Sequence, residues 1–256
     1  METLATHGST RWLLPIARRP DAATLLFCLP YAGGSAGGFR DFAALAHRCD
    51  VEVQAVELPG HGRRVGEPPR FDTGAVAAGL AAAIDRPYVL FGHSLGARLA
   101  FEVARRLRDA GVGEPRRLLV SGTPGPRLHR VGRGDADLPD EAFLARVERM
   151  GGTPAAVLRD PELRRLFLPA IRADFAWGDA YRYRPGALLR CPITGFAGSH
   201  DPEAPADQMA TWAAETTGEF RLDVVDGNHF FLHESFDQLA DLLIRELTGP
   251  GPKADG

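Results

Sequence analysis

The sequence predicts an α/β fold: a mostly parallel central sheet flanked by helices, carrying one helical insertion. Three observations lead there. Short apolar or alternating runs recur along the chain and are followed by helical stretches, and repeated strand–helix units imply a parallel sheet with helices on both faces. At Gly92-His93-Ser94-Leu95-Gly96 an apolar run passes into an amphipathic helix within a few residues. Between residues 127 and 185 the alternation stops, with no convincing strand, and afterwards it resumes.

Taken in order, residues 1 to 9 are expected to be disordered, and Arg11 to Leu14 reads as a first strand. Thr24 to Leu29 is continuously apolar, as a strand buried on both faces must be. The loop Pro30 to Gly38 leads to a helix from about Phe39 to His47. Val51 to Leu58 is valine-rich and alternating, hence a strand, ending in the loop Pro59-Gly60-His61-Gly62-Arg63-Arg64. Asp72 to Ile84 is an alanine-rich helix with Asp72 or Thr73 as its cap. Tyr88 to Phe91 is the strand of the glycine junction. In the helix that follows, Arg98, Glu102, Arg105 and Asp109 share one face while Ala100, Val103 and Leu107 share another. Arg117 to Ser121 is the next strand, closed by Gly122-Thr123-Pro124-Gly125-Pro126.

Within the insertion, Pro139-Asp140 opens a helix to about Met150, and Gly151-Gly152-Thr153-Pro154 breaks it. A longer helical stretch runs from Pro161 to about Tyr181, with Pro169 expected to kink or split it. Phe167, Phe175, Trp177, Tyr181 and Tyr183 make the insertion aromatic, either to pack it onto the body or to wall a substrate site. Beyond it come a strand at Ile193 to Ala197, a helix at Pro205 to Thr216, a strand at Phe220 to Val225 and a last helix at Ser235 to Thr248. The resulting division is a body of residues 1–126 and 186–250, a helical insertion of 127–185 and a mobile tail of 251–256.

Composition narrows the function. A length of 256 residues suits one large domain, or one with an insertion. The net charge of −3 carries no nucleic-acid footprint. Cys28, Cys49 and Cys191 are scattered and odd in number, with neither a disulfide framework nor CxxC spacing. The N-terminus lacks the apolar core of a signal peptide, and no apolar run approaches membrane-spanning length. The expectation is a cytoplasmic monomer with no nucleic-acid or membrane partner.

The junction at Ser94 carries the chemistry. A tight strand-to-helix turn leaves no room for side chains, and Gly92 and Gly96 supply it, which leaves Ser94 exposed at the tip as the nucleophile elbow of serine hydrolases does. The bare GxSxG pattern is weak, since Gly33-Gly34-Ser35-Ala36-Gly37 matches it too. Only Ser94, however, directly joins a strand to a helix. A serine hydroxyl needs a base, and the base needs an orienting acid, in the chain order Ser, acid, His for this topology. Of His200, His229 and His233, only His229 lies in a loop just beyond a strand with glycine beside it, and His233 reads as a cap or solvated residue of the last helix. Asp201 follows a strand end at the required place. Asp226, three residues before His229, reads as a brace of its own turn, and the strand ending at Ser121 is followed by Gly122-Thr123-Pro124-Gly125-Pro126 with no carboxylate in reach. The triad expected is Ser94, Asp201 and His229. The oxyanion donors expected are the backbone N–H groups of Leu95 and, from the loop after the Thr24 to Leu29 strand, Ala32.

Pro30-Tyr31-Ala32-Gly33-Gly34-Ser35, Pro59-Gly60, Gly92-His93-Ser94-Leu95-Gly96-Ala97, Phe101-Glu102, Gly151-Gly152-Thr153-Pro154, Arg172-Ala173-Asp174-Phe175, Gly198-x-x-Asp201 and Gly227-Asn228-His229-Phe230-Phe231 together resemble the type II thioesterases, the free-standing editing enzymes of polyketide and nonribosomal peptide synthesis. The match is collinear over roughly residues 24 to 233 and departs from the usual pattern at His61, often arginine in the family, and Asn228, often glycine. The resemblance implies an α/β-hydrolase core with a helical lid formed by the insertion of 127–185, and hydrolysis of acyl thioesters on the phosphopantetheine arm of acyl or peptidyl carrier domains, with no metal or other cofactor. Tyr31, Phe175 and Phe230 are the candidate substrate-binding side chains. Arg63 and Arg64 are either docking sites for an acidic carrier or solvated charges. The alternatives are a general carboxylesterase or chain-releasing thioesterase, and a non-enzymatic binding protein on the same scaffold.

Overall fold

The structure, a computed structural model, describes residues 9–128 and 134–249. Its centre is a seven-stranded sheet of order β1-β3-β2-β4-β5-β6-β7. The strands are β1 (Leu13–Ala17), β2 (Thr24–Leu29), β3 (Val51–Val56), β4 (Tyr88–His93), β5 (Arg117–Ser121), β6 (Ile193–Gly198) and β7 (Phe220–Val225). Only β1 runs antiparallel, against β3; every other pairing is parallel.

The apolar strands are central because both their faces are covered. Along β2, Leu25, Phe27 and Leu29 enter one core cluster, while Leu26 and Cys28 enter the other on the opposite face. β4 repeats the arrangement, with Leu90 on the first face and Val89 and Phe91 on the second. On one face lie α3 (Thr73–Ala81) and α4 (Leu95–Asp109), which bury Val76, Leu80, Leu99, Val103 and Leu107. On the other lie α2 (Ala43–Arg48) and α10 (Phe236–Thr248), which bury Leu45, Leu239 and Leu243. Strand β7, at the edge, is mostly half-exposed.

Between β5 and β6 the chain forms α5 (Asp140–Met150), α6 (Ala155–Arg159) and α7 (Pro161–Ala180). Phe143, Val147 and Ile171 make a small core of their own, with Phe167 and Phe175 packed against it. Among the contacts to the body, the Tyr181 hydroxyl donates to Glu102 Oε1 at 2.9 Å and the Trp177 ring lies 5.5 Å from that of Phe71.

Several elements differ from expectation. A short helix, α1 (Ser9–Trp12), replaces the first half of the expected first strand, and β1 begins only at Leu13. The helix expected from Phe39 is a 3-10 segment, Ala36–Phe42, running into α2. That expected over Pro205 to Thr216 is α8 (Ala206–Met209) running into a 3-10 segment, Ala210–Glu215. The helices α6 and α9 (Phe231–Glu234) are too short to impose a periodic pattern on the sequence. Proline 169 does not split α7, a single helix of 20 residues. Its ring and Arg165, whose carbonyl loses a helical donor, are both exposed, so water can serve that carbonyl. Asp72 caps α3, accepting from Ala75 N–H at 2.9 Å. Disorder is expected for residues 1 to 9, but Ser9 opens α1; residues 1–8, the tail 251–256 and the part of the insertion at 129–133 lie outside the described residues. No helix among the described residues is long and apolar enough to cross a membrane.

Candidate active site

Strand β4 delivers Ser94 to the C-terminal edge of the sheet. Ser94 has φ 54° and ψ −117°, and it is the only non-glycine residue with positive φ among the described residues. Such a conformation is strained and persists only when its surroundings enforce it. They do so by close packing. A Cβ on Gly92 would lie 2.1 Å from the Gly96 carbonyl oxygen, and one on Gly96 would lie 2.1 Å from that of Leu29. The two glycines let strand, turn and helix touch.

Ser94 Oγ lies 3.1 Å from His229 Nε2, and His229 Nδ1 lies 2.8 Å from Asp201 Oδ2. A carboxylate at Nδ1 fixes the proton there and turns the lone pair of Nε2 toward the serine hydroxyl. Asp201 and His229 are both buried, and Asp201 Oδ1 accepts the Glu203 N–H at 2.8 Å, which fixes the carboxylate plane. Asp226 is elsewhere: its exposed carboxylate accepts from Ser199 Oγ at 2.9 Å, and its own N–H donates to Gln238, so side chain and backbone both brace the β7 turn. His233 sits in α9, with Nε2 3.0 Å from the Tyr31 hydroxyl.

A cavity of about 650 Å³ opens over this group, lined by Ser94, His229, Ala32 and Leu95 among others. Leu95 is the first residue of α4, where the helix supplies no acceptor for an N–H. In the loop after β2, Gly33 N–H donates to Asp174 Oδ2 at 2.7 Å and Gly34 N–H to the Tyr31 carbonyl at 2.8 Å. The Ala32 N–H has no protein acceptor among the described residues.

Of the aromatic candidates, Phe175 lines the cavity, whereas Tyr31 and Phe230 do not. Both are buried behind it, in a ring cluster with His93 and His233. Their large rings fill the space under the turns that carry Ser94 and His229, so they support the site rather than face it. Arg64 is likewise withdrawn from any surface role. It is buried, paired with Glu67, bonded to the Glu57 carbonyl and stacked 4.5 Å over Trp12, while Arg63 is exposed.

Three residues were not legible as site residues. His93, fully buried, bonds through Nδ1 to Ser121 Oγ at 2.9 Å, and burial, reinforced by the neighbouring His229, pushes its pKa far below that of free histidine. Arg146 lies in the cavity wall, 3.2 Å from Asp135 and 2.9 Å from Glu203. Asp174 lines the cavity as well, and only its place in the Arg172-Ala173-Asp174-Phe175 motif marked it.

Fold and site together define an α/β-hydrolase. The chain belongs to the thioesterase family, whose thioesterase domain matches residues 24–247. It is 38% identical over 235 residues to the thioesterase PikA5 of Streptomyces venezuelae, covering 90% of this chain and 83% of that one. To the gramicidin S biosynthesis protein GrsT of Aneurinibacillus migulanus it is 33% identical over 241 residues, with 93% and 94% covered. The type II thioesterase BorB of the borrelidin biosynthetic cluster superposes with a TM-score of 0.82 at 40% identity, covering 92% and 97%. The protein is thus a thioester hydrolase of the type II kind.

Proposed function

We propose that the protein removes acyl groups from the phosphopantetheine arm of acyl or peptidyl carrier domains in polyketide or nonribosomal peptide synthesis, working as a cytoplasmic monomer with Ser94, His229 and Asp201 as its catalytic triad. The observation that carries the assignment is the chain of contacts from Asp201 through His229 to Ser94 at the floor of one cavity.

In this reading Ser94 Oγ attacks the thioester carbonyl carbon while His229 Nε2 takes its proton. The N–H groups of Ala32 and Leu95 receive the developing oxyanion. The carbon–sulfur bond breaks, the thiol leaves with the proton from His229, and an acyl ester remains on Ser94. His229 then takes a proton from water, which attacks the ester carbonyl carbon; the ester C–O bond breaks, Ser94 Oγ leaves with the proton from His229, and the acid is released. Asp201 stabilises the imidazolium that forms in each half. A thiolate is a good leaving group, so this cycle needs less proton donation than amide cleavage does. No metal or other cofactor enters any step. The helices of 127–185 serve as the lid, and Phe175 on α7 contacts the acyl group.

The test is release of acetyl or propionyl groups from a loaded carrier protein. Ser94→Ala should abolish release, and wild-type enzyme should prefer carrier-bound thioesters to small oxygen esters. Equal release by Ser94→Ala would overturn the assignment, and a preference for oxygen esters would make the protein a general esterase.

A further inference from the structure

A second buried histidine–carboxylate pair stands at the cavity wall. Asp174, on α7, is 2% exposed, and its Oδ2 accepts the Gly33 N–H at 2.7 Å. The same oxygen lies 2.9 Å from Nε2 of His61, itself 4% exposed. His61 Nδ1 lies 3.1 Å from the Pro59 carbonyl oxygen. A carbonyl can only accept, so Nδ1 carries a proton, and the carboxylate facing Nε2 favours a second proton there, which makes the ring an imidazolium. Its approach to Asp174 is close but imperfectly aligned, and charge attraction acts alongside it. Nearby, the buried Glu57 accepts Ala36 N–H at 3.0 Å through Oε1 and Arg63 N–H at 3.3 Å through Oε2. Two carboxylates therefore grip the loop after β2, one at Gly33 and one at Ala36.

Ala32 sits between the gripped Gly33 and the cavity. The peptide planes on either side of Ala32 share its Cα, so fixing the plane that carries the Gly33 N–H restrains the plane that carries the Ala32 N–H. We propose that Asp174, with His61 as its buried counter-charge, positions the oxyanion loop, so that α7 of the insertion holds the Ala32 N–H at the point where charge develops on the substrate carbonyl. The proposal rests on the reading of Ala32 and Leu95 as oxyanion donors. Asp174 is a positioning residue here, acting through Gly33.

The charge on His61 is what makes a buried Asp174 carboxylate tolerable, since a buried charge left unpaired is expensive. Burial disfavours the imidazolium, but Asp174, the Pro59 carbonyl and Glu57 outweigh it and raise the pKa of His61. The charged groups facing the ring are Asp174 from α7 and Glu57 beyond β3; Arg64 is turned to Glu67 and the Glu57 carbonyl. The pair is therefore charged below the raised pKa of His61 and loses its positive partner as pH rises through it. Maximal turnover, which needs both the pair and a neutral His229, falls away on the alkaline side.

The experiment measures kcat and KM for acetyl-N-acetylcysteamine with folding checked by thermal melting. Asp174→Ala should lower kcat about tenfold or more with KM within about threefold, because a displaced oxyanion donor weakens the transition state and not substrate binding. Asp174→Asn, which keeps an acceptor for the Gly33 N–H, should recover most of the loss. His61→Gln should remove the alkaline limb of the kcat profile. An unchanged kcat in folded Asp174→Ala, a loss shared equally by KM, or an Asn variant as impaired as the Ala variant overturns the proposal. Should Asp174→Ala not fold, the pH profiles decide: an alkaline limb absent from wild type, or persisting in His61→Gln, also overturns it. Activity surviving in Ser94→Ala sinks the reading of the site itself, whatever Asp174 does.

Discussion

The ring of His93 lies 5.1 Å from that of His229, centroid to centroid, and its Nδ1 reaches Ser121 Oγ at 2.9 Å across the top of the sheet. The residue before Ser94 thus ties the end of β4 to the end of β5 while packing against the proposed base. Fully buried and with its pKa pushed down by burial and by His229, it stays neutral. His93→Leu should strand the buried Ser121 hydroxyl and cost about 1–3 kcal/mol. The pH dependence has a definite sign. Below about 6.5 the unfolded chain protonates this histidine and the folded protein does not, so stability falls as pH drops. Urea titrations between neutral and mildly acidic pH should show that loss in wild type and a shallower one in His93→Leu.

Gly96→Ala tests the packing of the elbow. The new methyl would meet the Leu29 carbonyl oxygen at 2.1 Å, a backbone atom that cannot move without shifting β2. We expect a destabilisation of about 3 kcal/mol or more, with loss of thioesterase activity, by thermal melting and initial rates. Gly66→Ala, where nothing lies within 4 Å of the new carbon, is the control and should stay within about 0.5 kcal/mol of wild type.

Two aspartates compete for the role of orienting acid, and the geometry separates them. Asp201 Oδ2 lies 2.8 Å from His229 Nδ1, while the Asp226 carboxylate is engaged with Ser199. Asp201→Asn should lower kcat roughly 10³–10⁴-fold, because the amide permits the wrong imidazole tautomer. Asp226→Asn should leave kcat within about twofold, as an exposed turn residue does. A reversal of these two results in steady-state kinetics would reassign the acid.

What the sequence made legible was mostly local. Strands β2, β5 and β7 begin and end where their apolar or alternating runs do, because a strand covered on both faces or at an edge writes its burial directly into residue type. Ser94, His229 and Asp201 could be selected because glycine spacing and chain order constrain where such a site can assemble. The 3-10 segments Ala36–Phe42 and Ala210–Glu215 were not visible, since they share the composition of a helix start and differ only in hydrogen-bond register. Nor could aromatic type alone say that Tyr31 and Phe230 lie behind the cavity while Phe175 lines it. The contact between Gly33 and Asp174 joins residues 141 positions apart and leaves no periodic trace.

Arg146 joins the insertion to the body at the cavity wall. From α5 it reaches Asp135 at 3.2 Å and Glu203 at 2.9 Å, and Glu203 follows Asp201 by two residues. The three side chains are 13%, 18% and 24% exposed, so the attraction is only partly screened. Removing the guanidinium leaves the two carboxylates without the cation they share and weakens the attachment of α5. Arg146→Ala should therefore raise KM for carrier-bound acyl groups about three- to tenfold with a smaller effect on kcat, and should speed limited proteolysis within the insertion. Arg146→Lys should restore only part of the KM, because an ammonium cannot match the planar fork that reaches both carboxylates at once. The guanidinium pKa is raised despite burial by Glu203 and Asp135, so the arginine keeps its charge and its KM effect should not vary between pH 6 and 9. A KM effect that follows pH, or none in a folded Arg146→Ala, would remove the bridge from substrate binding.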